Sequence, residues 1–337
     1  MSLRVVRPGS LTSVQDLGRY GLQHLGIVPG GAMDPVAHRV ANALVGNPPE
    51  TATLECTVLG PNLLVEGDML IALYGATFEA KVAGLPWPRN RPLLVKAGTR
   101  LKIGAAAHGA RAYLAVAGGL QVSQVLGSRS TYIPASFGGL SGRAVKAGDR
   151  LPCSTDVTAL SRARFERIVH GRSAAEHDEW RSARWFVPDL TLPSDSAQVV
   201  RAMAGRHHGQ FDNASRSAFF AHEWRVAPDS NRMGFRLQGP RLARAKAADI
   251  LSEPTCLGTV QVPNDGAPIA LMADHQTTGG YPKIAEIAGA DIPMLAQLAP
   301  GGRVRFVKCS LEQAAAARLA ADARLDAVLR ALESIFT

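Results

Sequence analysis

The sequence predicts a mainly β protein built from two related barrel units in tandem, with a few short helices and a C-terminal helix. Two observations support this fold class. The 337-residue chain contains 33 glycines and 21 prolines but only 6% aromatic residues, which is typical of many short strands joined by turns. In addition, residues 54–73 resemble residues 252–271, which indicates an internal duplication. We expect closed or nearly closed barrels, because closure removes exposed strand edges.

The duplication depends on residues that recur in the same order. Both copies carry a Glu-x-Thr-x-Leu-Gly pattern, at residues 55–60 and at residues 253–258. A second pair of similar segments, residues 95–103 and 298–306, places an arginine two positions after a glycine in each copy. We therefore expect Glu55 and Glu253 to occupy matching strand positions.

Local signals divide the chain further. Asp34 and Pro35 begin a helix that Gly46 ends. Ser310 and Gln313 form a capping box before an Ala-rich helix. The apolar stripe of that helix comprises Leu325, Val328, Leu329, Leu332, Ile335 and Phe336. The predicted domains are a first barrel at residues 1–155, a linker with a short helix at 156–195, a second barrel at 196–309 and the C-terminal helix at 310–337.

Composition and motifs exclude several classes of protein. The net charge is +9, but aromatic residues are not interleaved with the basic ones, so a solvated basic face is favoured over a nucleic-acid site. No signal peptide and no run of about 18 apolar residues occurs, which predicts a cytoplasmic protein without membrane segments. No standard nucleotide-binding loop is present.

Cysteine and histidine spacing predicts no metal site. The four cysteines, at positions 56, 153, 256 and 309, lie far apart without a Cys-x-x-Cys pair, so we expect free thiols in the core. The adjacent His207 and His208 are expected in an exposed loop.

A dense group of polar residues follows a predicted buried strand at residues 267–272. The segment from Ala273 to Lys283 contains an acid, an amide, two hydroxyls, two glycines and a phenol. Paired glycines permit a sharp turn or the close approach of a ligand, so this segment is the main candidate site. The alternative is a hairpin in which Asp and Thr side chains only satisfy turn amides.

Six ordered motifs resemble those of the biotin-dependent carboxyltransferase, or allophanate hydrolase subunit 2, family, which includes the C subunits of 5-oxoprolinases. They lie at residues 13–19, 31–34 with 41–47, 126–131, 137–143, 230–234 and 274–282. The resemblance implies that the chain contains two cyclophilin-like barrels and that it acts together with partner subunits B and A. Two departures from the family pattern occur, at Ala204-Gly205-Arg206 and at Gly31, where relatives have Pro-Gly-Pro and Ser.

Within this resemblance, three residues are candidates for the chemistry. The amides of Asn231 and Gln276 can both donate and accept hydrogen bonds, which suits a lactam or a urea-like group. Asp274 is a candidate general base or orienting group. The other candidate substrate-binding residues are Arg232, Thr277, Thr278, Gly279, Tyr281, Gln15, Asp16 and Arg19. For several of them a structural role remains the alternative. Arg232 could form a structural pair with an aspartate, and Asp16 could pair with Arg19. For Tyr281 the alternative is packing.

The leading functional hypothesis is a component of an ATP-dependent 5-oxoprolinase, which opens the lactam of 5-oxoproline to glutamate. The chain is expected to be inactive alone, with ATP bound with or by a partner subunit. One alternative is transfer of a carboxyl group to a urea-like amide from carboxybiotin, with biotin on a separate carrier protein. The other is a non-catalytic regulatory module that binds the sister subunit.

Overall fold

Strands dominate the computed structural model, which describes residues 1–171, 175–192, 196–245 and 250–334. The chain divides into two units. The first consists of Met1–Arg19, Asp34–Leu192 and Leu325–Thr337, and the second of Tyr20–Met33 and Pro193–Arg324. The main division therefore falls between residues 192 and 193, but each unit also includes a segment from the other end of the chain.

The first unit is an eleven-stranded sheet. Its strands are β1 (Ser2–Arg7), β2 (Leu11–Gln15), β3 (Thr53–Thr57), β4 (Asn62–Val65), β5 (Met69–Val82), β6 (Leu85–Pro86), β7 (Pro92–Val95), β8 (Arg100–Val116), β9 (Arg150–Pro152), β10 (Ala175–Glu176) and β11 (Trp180–Ser182). The main path runs β10-β11-β7-β5-β8-β4-β1-β9, while β2 pairs with β3, β3 pairs with β8, and β6 pairs with β5. Among the described residues this path does not return on itself, so closure is not seen in this unit.

Among the described residues, two α-helices lie wholly within this unit, α1 (Pro35–Val45) and α2 (Ala159–His170). The predicted cap of α1 is confirmed, because Ala37 N donates to Asp34 Oδ1 at 2.9 Å and Gly46 follows with a φ of 80°. The region predicted as a linker does contain a helix, α2. It also supplies β10 and β11, which extend the sheet beyond β7.

The second unit contains a closed seven-stranded barrel, as the sequence predicts. Its strands and helices are β12 (Gln198–Ala204), α3 (Asn213–Ala221), β13 (Glu223–Val226), β14 (Gly234–Gln238), β15 (Glu253–Pro254), β16 (Thr259–Gln261), β17 (Ile269–Leu271), β18 (Thr278–Gly279), β19 (Lys283–Ile287), α4 (Ile292–Ala296) and β20 (Arg303–Lys308). The barrel order is β12-β19-β16-β17-β14-β13-β20, and β20 pairs in parallel with β12 to close it. Strands β15 and β18 form a separate two-stranded sheet.

Aromatic packing fills the barrel core. The ring of Phe219 from α3 stacks on Phe306 of β20 with a centroid distance of 4.7 Å. Trp224 is fully buried, and its indole nitrogen donates to the Phe219 carbonyl at 3.0 Å. Burying a ring of this size contributes strongly to stability, provided that its polar atom finds a partner.

The predicted equivalence of Glu55 and Glu253 is wrong. Glu55 lies in β3, between β2 and β8 of the first sheet. Glu253 lies in β15, outside the barrel. Sequence similarity between short segments does not fix strand pairing, because pairing depends on partners far away in the chain.

The C-terminal helix is α5 (Leu311–Ser334). Its capping box is confirmed, since Gln313 N donates to Ser310 Oγ at 3.2 Å and Ser310 N donates to the Gln313 side chain at 2.8 Å. Leu325 and Leu332 of the predicted stripe are buried, whereas Ile335 and Phe336 lie outside the described residues. In the described part of the chain, α5 included, every helix is too short or too polar to span a lipid bilayer.

All four cysteines are free thiols, as the sequence predicts. Cys56 and Cys153 are buried, but the expected core location is wrong for Cys256, which is exposed, and for Cys309, which is half-buried. The expected exposed loop for the two adjacent histidines is also wrong, since His207 is 8% exposed and His208 is half-buried.

Candidate functional site

The segments that precede β14 and follow β17 run side by side. Met272 N donates to the Met233 carbonyl at 3.0 Å, and Asp274 N donates to the Arg232 carbonyl at 2.8 Å. These bonds extend the β14–β17 pairing past the strand ends. The polar segment from Ala273 onward therefore begins where a buried strand ends, as the sequence predicts.

Arg232 and Asp274 form a buried, bidentate ion pair. Arg232 Nε donates to Asp274 Oδ2 at 2.8 Å and Nη2 donates to Oδ1 at 2.9 Å. The two side chains are only 5% and 3% exposed. Arg232 Nη2 also donates to the Gly31 carbonyl at 2.6 Å. Both carboxylate oxygens of Asp274 are thus held by one guanidinium, a geometry that fixes the loop rather than presenting a base.

Asn231 lies next to this pair and is exposed. Its side-chain oxygen accepts from Met233 N at 2.8 Å, and its backbone N donates to the Gly234 carbonyl at 3.2 Å. The amide oxygen therefore supports the local turn. The NH₂ group of the same amide is the part suited to contact a ligand acceptor.

The Gln276 side chain contacts Gln261, the last residue of barrel strand β16. Its Nε2 donates to Gln261 Oε1 at 3.1 Å, and Gln261 is only 1% exposed. A β-carbon added at Gly279 would lie 2.7 Å from Gln261 Nε2, so a larger residue here would have to displace that amide. Thr255 Oγ1 donates to the Gln276 carbonyl, and Thr255 N donates to the Thr277 carbonyl at 3.0 Å, which ties the segment to the residue that follows β15.

Lys283 is a buried cation at the start of β19, directly across from Gln261 of β16. Its ammonium lies 3.0 Å from Glu253 Oε1 and also donates to the Pro254 carbonyl. The hydrogen bond from Lys283 is the main reason why the pKa of Glu253 lies below its usual range. The Gln276–Gln261 amide pair and the Lys283–Glu253 ion pair therefore lie at the same end of the barrel.

His207 completes the group. Its Nδ1 accepts from Lys283 N at 3.2 Å, so the neutral ring carries its proton on Nε2, which lies 3.6 Å from Glu253 Oε1. Burial lowers the pKa of His207 despite that carboxylate. We call His207, Glu253, Gln261, Gln276 and Lys283 the Lys283 cluster.

A carboxyl group with a raised pKa lies beside the Lys283 cluster. Glu286 of β19 accepts from Thr259 Oγ1 at 2.7 Å and from Cys256 Sγ at 3.5 Å. Burial raises the pKa of Glu286, and the hydrogen bonds from Thr259 and Cys256, together with the positive charge of Lys283, counteract only part of this effect. The barrel end thus combines proton donors, acceptors and amides, which is the set needed to bind an amide bond and move its proton.

The sequence analysis did not single out most of the Lys283 cluster. Gln276 was a candidate, but Glu253, Gln261, His207 and Lys283 were not proposed to take part. One signal was available: a lysine and a glutamate interrupt the otherwise apolar Lys283–Ile287 strand. In the described ranges no three His, Cys, Asp or Glu side chains are arranged to hold a metal ion.

The other candidate residues in the second unit are more exposed to solvent. Thr277 is half-buried, while Thr278 and Tyr281 are exposed. Tyr281 is 46% exposed, so it is not a core residue.

Gln15, Asp16 and Arg19 belong to the first unit, where all three are buried. Asp16 Oδ1 accepts from the hydroxyls of Ser128 and Ser130, each at 2.6 Å. Arg19 Nη2 donates to the Ser130 carbonyl at 2.6 Å. These side chains form hydrogen bonds with the loop at residues 125–131. Those bonds account for the burial of Asp16 and Arg19 without the alternative Asp16–Arg19 pair.

Comparisons with known proteins agree with one another. Residues 25–308 match the family model for the carboxyltransferase domain, subdomains A and B. The chain is 41% identical over 317 residues to the C subunit of 5-oxoprolinase from Escherichia coli, covering 94% of each chain. It is 35% identical over 324 residues to the Haemophilus influenzae protein of the same name, covering 96% of each.

A solved structure is also similar. The crystal structure of the K. lactis urea amidolyase superimposes with a TM-score of 0.83 at 30% identity. The match covers 96% of this chain but only 20% of that much longer one.

Proposed function

Since the chain belongs to the carboxyltransferase family with subdomains A and B, we propose that it is the C subunit of a 5-oxoprolinase that opens the lactam of 5-oxoproline to glutamate with ATP. The observation that carries the proposal is the end-to-end similarity to such a protein of nearly the same length, at 41% identity over 94% of both chains. Its site of action is the cytoplasm.

The Lys283 cluster supports an amide-type substrate. A lactam presents a carbonyl oxygen that accepts and an N–H group that donates, and the amide of Gln276 satisfies both kinds of partner. The cationic ammonium of Lys283, held 3.0 Å from Glu253, is placed to stabilise negative charge that develops on the carbonyl oxygen. The exposed amide of Asn231 supplies a second donor.

Asp274 has a positioning role in this proposal. Because both of its oxygens accept from Arg232, it orders the segment that carries Gln276 rather than taking a proton. Arg232 acts in the same way. Thr277, Thr278, Gly279 and Tyr281 line the substrate side of the segment, and Gln15, Asp16 and Arg19 shape the first unit without touching the lactam.

ATP is used together with partner subunits of the B and A types, since the sequence carries no standard nucleotide loop. The purified chain alone is expected to release no glutamate from 5-oxoproline and ATP, and activity is expected to appear when both partners are added. A glutamate-release assay on each protein and on the mixture tests this. Full activity of the isolated chain, or none in the complete mixture, would contradict the proposal.

The second candidate is carboxyl transfer from carboxybiotin to a urea-like amide, which the likeness to the K. lactis urea amidolyase favours. The biotin would arrive on a separate carrier protein. Biotin-dependent incorporation of labelled bicarbonate into urea, without glutamate release from 5-oxoproline, would favour this candidate over the first.

A further inference from the structure

A second polar cavity lies in the second unit, beside α3. Its volume is about 340 Å³, and it is lined by His208, Asn213, Arg216, Ser217, Phe220 and Lys308. No residue of the Lys283 cluster lines it. Four of the lining residues lie on one face of α3 at helical spacing, while Lys308 ends β20 and His208 begins the short turn after β12. We call this the basic cavity.

The basic cavity brings cations together without a lining carboxylate. Arg216 and Lys308 both lie close enough to His208 to oppose protonation of its ring and so to lower its pKa, in addition to the dominant effect of burial. Among the lining residues, all of which are described, none is acidic. The carboxylate of Asp212 also interacts with Arg216, but it accepts from Ser215 N at 2.7 Å and caps α3.

Neighbouring groups fix the geometry of two lining side chains, Arg216 and His208. Arg216 donates to the side-chain oxygen of Asn213, which orients the guanidinium across the first turn of α3. His208 Nδ1 donates to the Ile284 carbonyl at 3.1 Å, which fixes the ring; Nε2 of the neutral ring is then an acceptor, so contacts to an anion fall to Arg216 and Lys308. Like charges held in proximity repel one another, and a bound anion relieves that repulsion.

The cavity also has an apolar wall. Phe220 is half-buried, and its ring centre lies 6.1 Å from that of His208. The amide of Asn213 and the hydroxyl of Ser217 add neutral hydrogen-bond donors to the cations. A ligand that suits these walls carries several negative charges at one end and a less polar body at the other.

We propose that the basic cavity binds a phosphate-bearing small molecule, with the phosphate against Arg216 and Lys308 and the rest of the molecule against Phe220. Arginine matches phosphate geometry with two parallel hydrogen bonds, and lysine adds a point charge. A phosphate group carries up to two negative charges and three acceptor oxygens, which matches two cations and two neutral donors better than one carboxylate does. The volume exceeds that of a simple ion and is within the range of small-molecule sites.

The test is calorimetric titration of the full chain with inorganic pyrophosphate at constant ionic strength. We expect saturable binding with a dissociation constant below about 1 mM. Lys308→Gln and Arg216→Gln should each weaken it about tenfold or more, since each removes a charge-assisted contact. Lys308 is exposed, so its substitution leaves the fold intact, and circular dichroism checks both variants.

Arg305→Gln is the matched control, because Arg305 is an exposed cation on the same strand as Lys308 but does not line the cavity. It should change the affinity less than about twofold. Absence of saturable binding, or an equal loss in Arg305→Gln, would overturn the proposal. Citrate that binds as tightly as pyrophosphate would overturn the choice of phosphate over carboxylate. None of these outcomes depends on the proposed 5-oxoprolinase activity.

Discussion

Replacing Asp274 by Asn tests whether this residue holds the site together or carries out its chemistry. The carboxylate is 3% exposed and accepts two hydrogen bonds from Arg232, at 2.8 and 2.9 Å. Asn preserves the shape of the side chain but leaves the buried Arg232 guanidinium without its counter-charge. The Gly31 carbonyl remains as an acceptor for that guanidinium. Breaking a buried pair in this way costs about 3–5 kcal/mol of unfolding free energy.

The loss should appear in the second unit. For a unit of this size, each kcal/mol shifts the melting temperature by about 2–4 °C, so Asp274→Asn should lower it by roughly 6–20 °C. Hydrogen exchange of the backbone amides in β14 and β17, measured at increasing urea concentrations, reports the unfolding free energy of this unit alone. The matched control is Asp229→Asn, which breaks an exposed pair with Arg236 of β14, where the side chains are 65% and 51% exposed. That change should cost at most about 1 kcal/mol.

A double-mutant cycle completes the test. If Arg232 and Asp274 interact directly, the double variant Arg232→Met with Asp274→Leu should lose much less unfolding free energy than the sum of the losses in its two single variants. The reason is that no uncompensated charge remains buried in the double variant. A loss below about 1 kcal/mol in Asp274→Asn, or strictly additive losses in the double variant, would refute the positioning role. In either case Asp274 would become a candidate for the chemistry itself.

The other two predictions concern the Gln276 amide and the first unit. Gln276→Ala and Asn231→Ala should each lower the reconstituted 5-oxoprolinase activity about tenfold or more, equivalent to about 1.4 kcal/mol of transition-state stabilisation, with the melting temperature unchanged within a few degrees. Activity near that of the wild type in both variants would remove these amides from the site. Burial lowers the pKa of His38 from 6.5 to about 4, so the stability that the neutral ring contributes is complete above pH 6.5 and is lost as the pH falls towards 4. The loss amounts to about 3 kcal/mol, and His38→Gln should reduce this pH dependence in urea unfolding between about pH 7 and pH 4.5; an unchanged dependence would contradict it.

Features encoded within a few residues could be predicted from the sequence. The helix that starts at Pro35 is indicated by Asp34, and the C-terminal helix by Ser310 and Gln313. The buried strand before Asp274 is visible as an apolar run that ends in polar residues. In each case the residues that determine the structure are also its immediate neighbours in the chain.

The Lys283 cluster could not be found in this way. Glu253, Gln261 and Lys283 meet only because β15 lies against β18 and β16 pairs with β19. Asp16 shows the same limit, since the hydroxyls that occupy its carboxylate come from Ser128 and Ser130, which follow it by 112 and 114 residues. The chemistry of an isolated acid or amide indicates what it is able to bind, whereas its actual partner is set by the tertiary fold.

The division of the chain has a consequence for how the protein is completed during synthesis. The chain passes between the two units four times, because Tyr20–Met33 belongs to the second and Leu325–Thr337 to the first. A ribosome that has just finished Leu192 has therefore produced neither unit in full. Proteolysis between residues 192 and 193 would likewise leave each fragment missing a piece of its own unit and carrying a piece of the other. The first unit therefore cannot be complete before its last segment, Leu325–Thr337, has left the ribosome, although its other two segments precede most of the second unit.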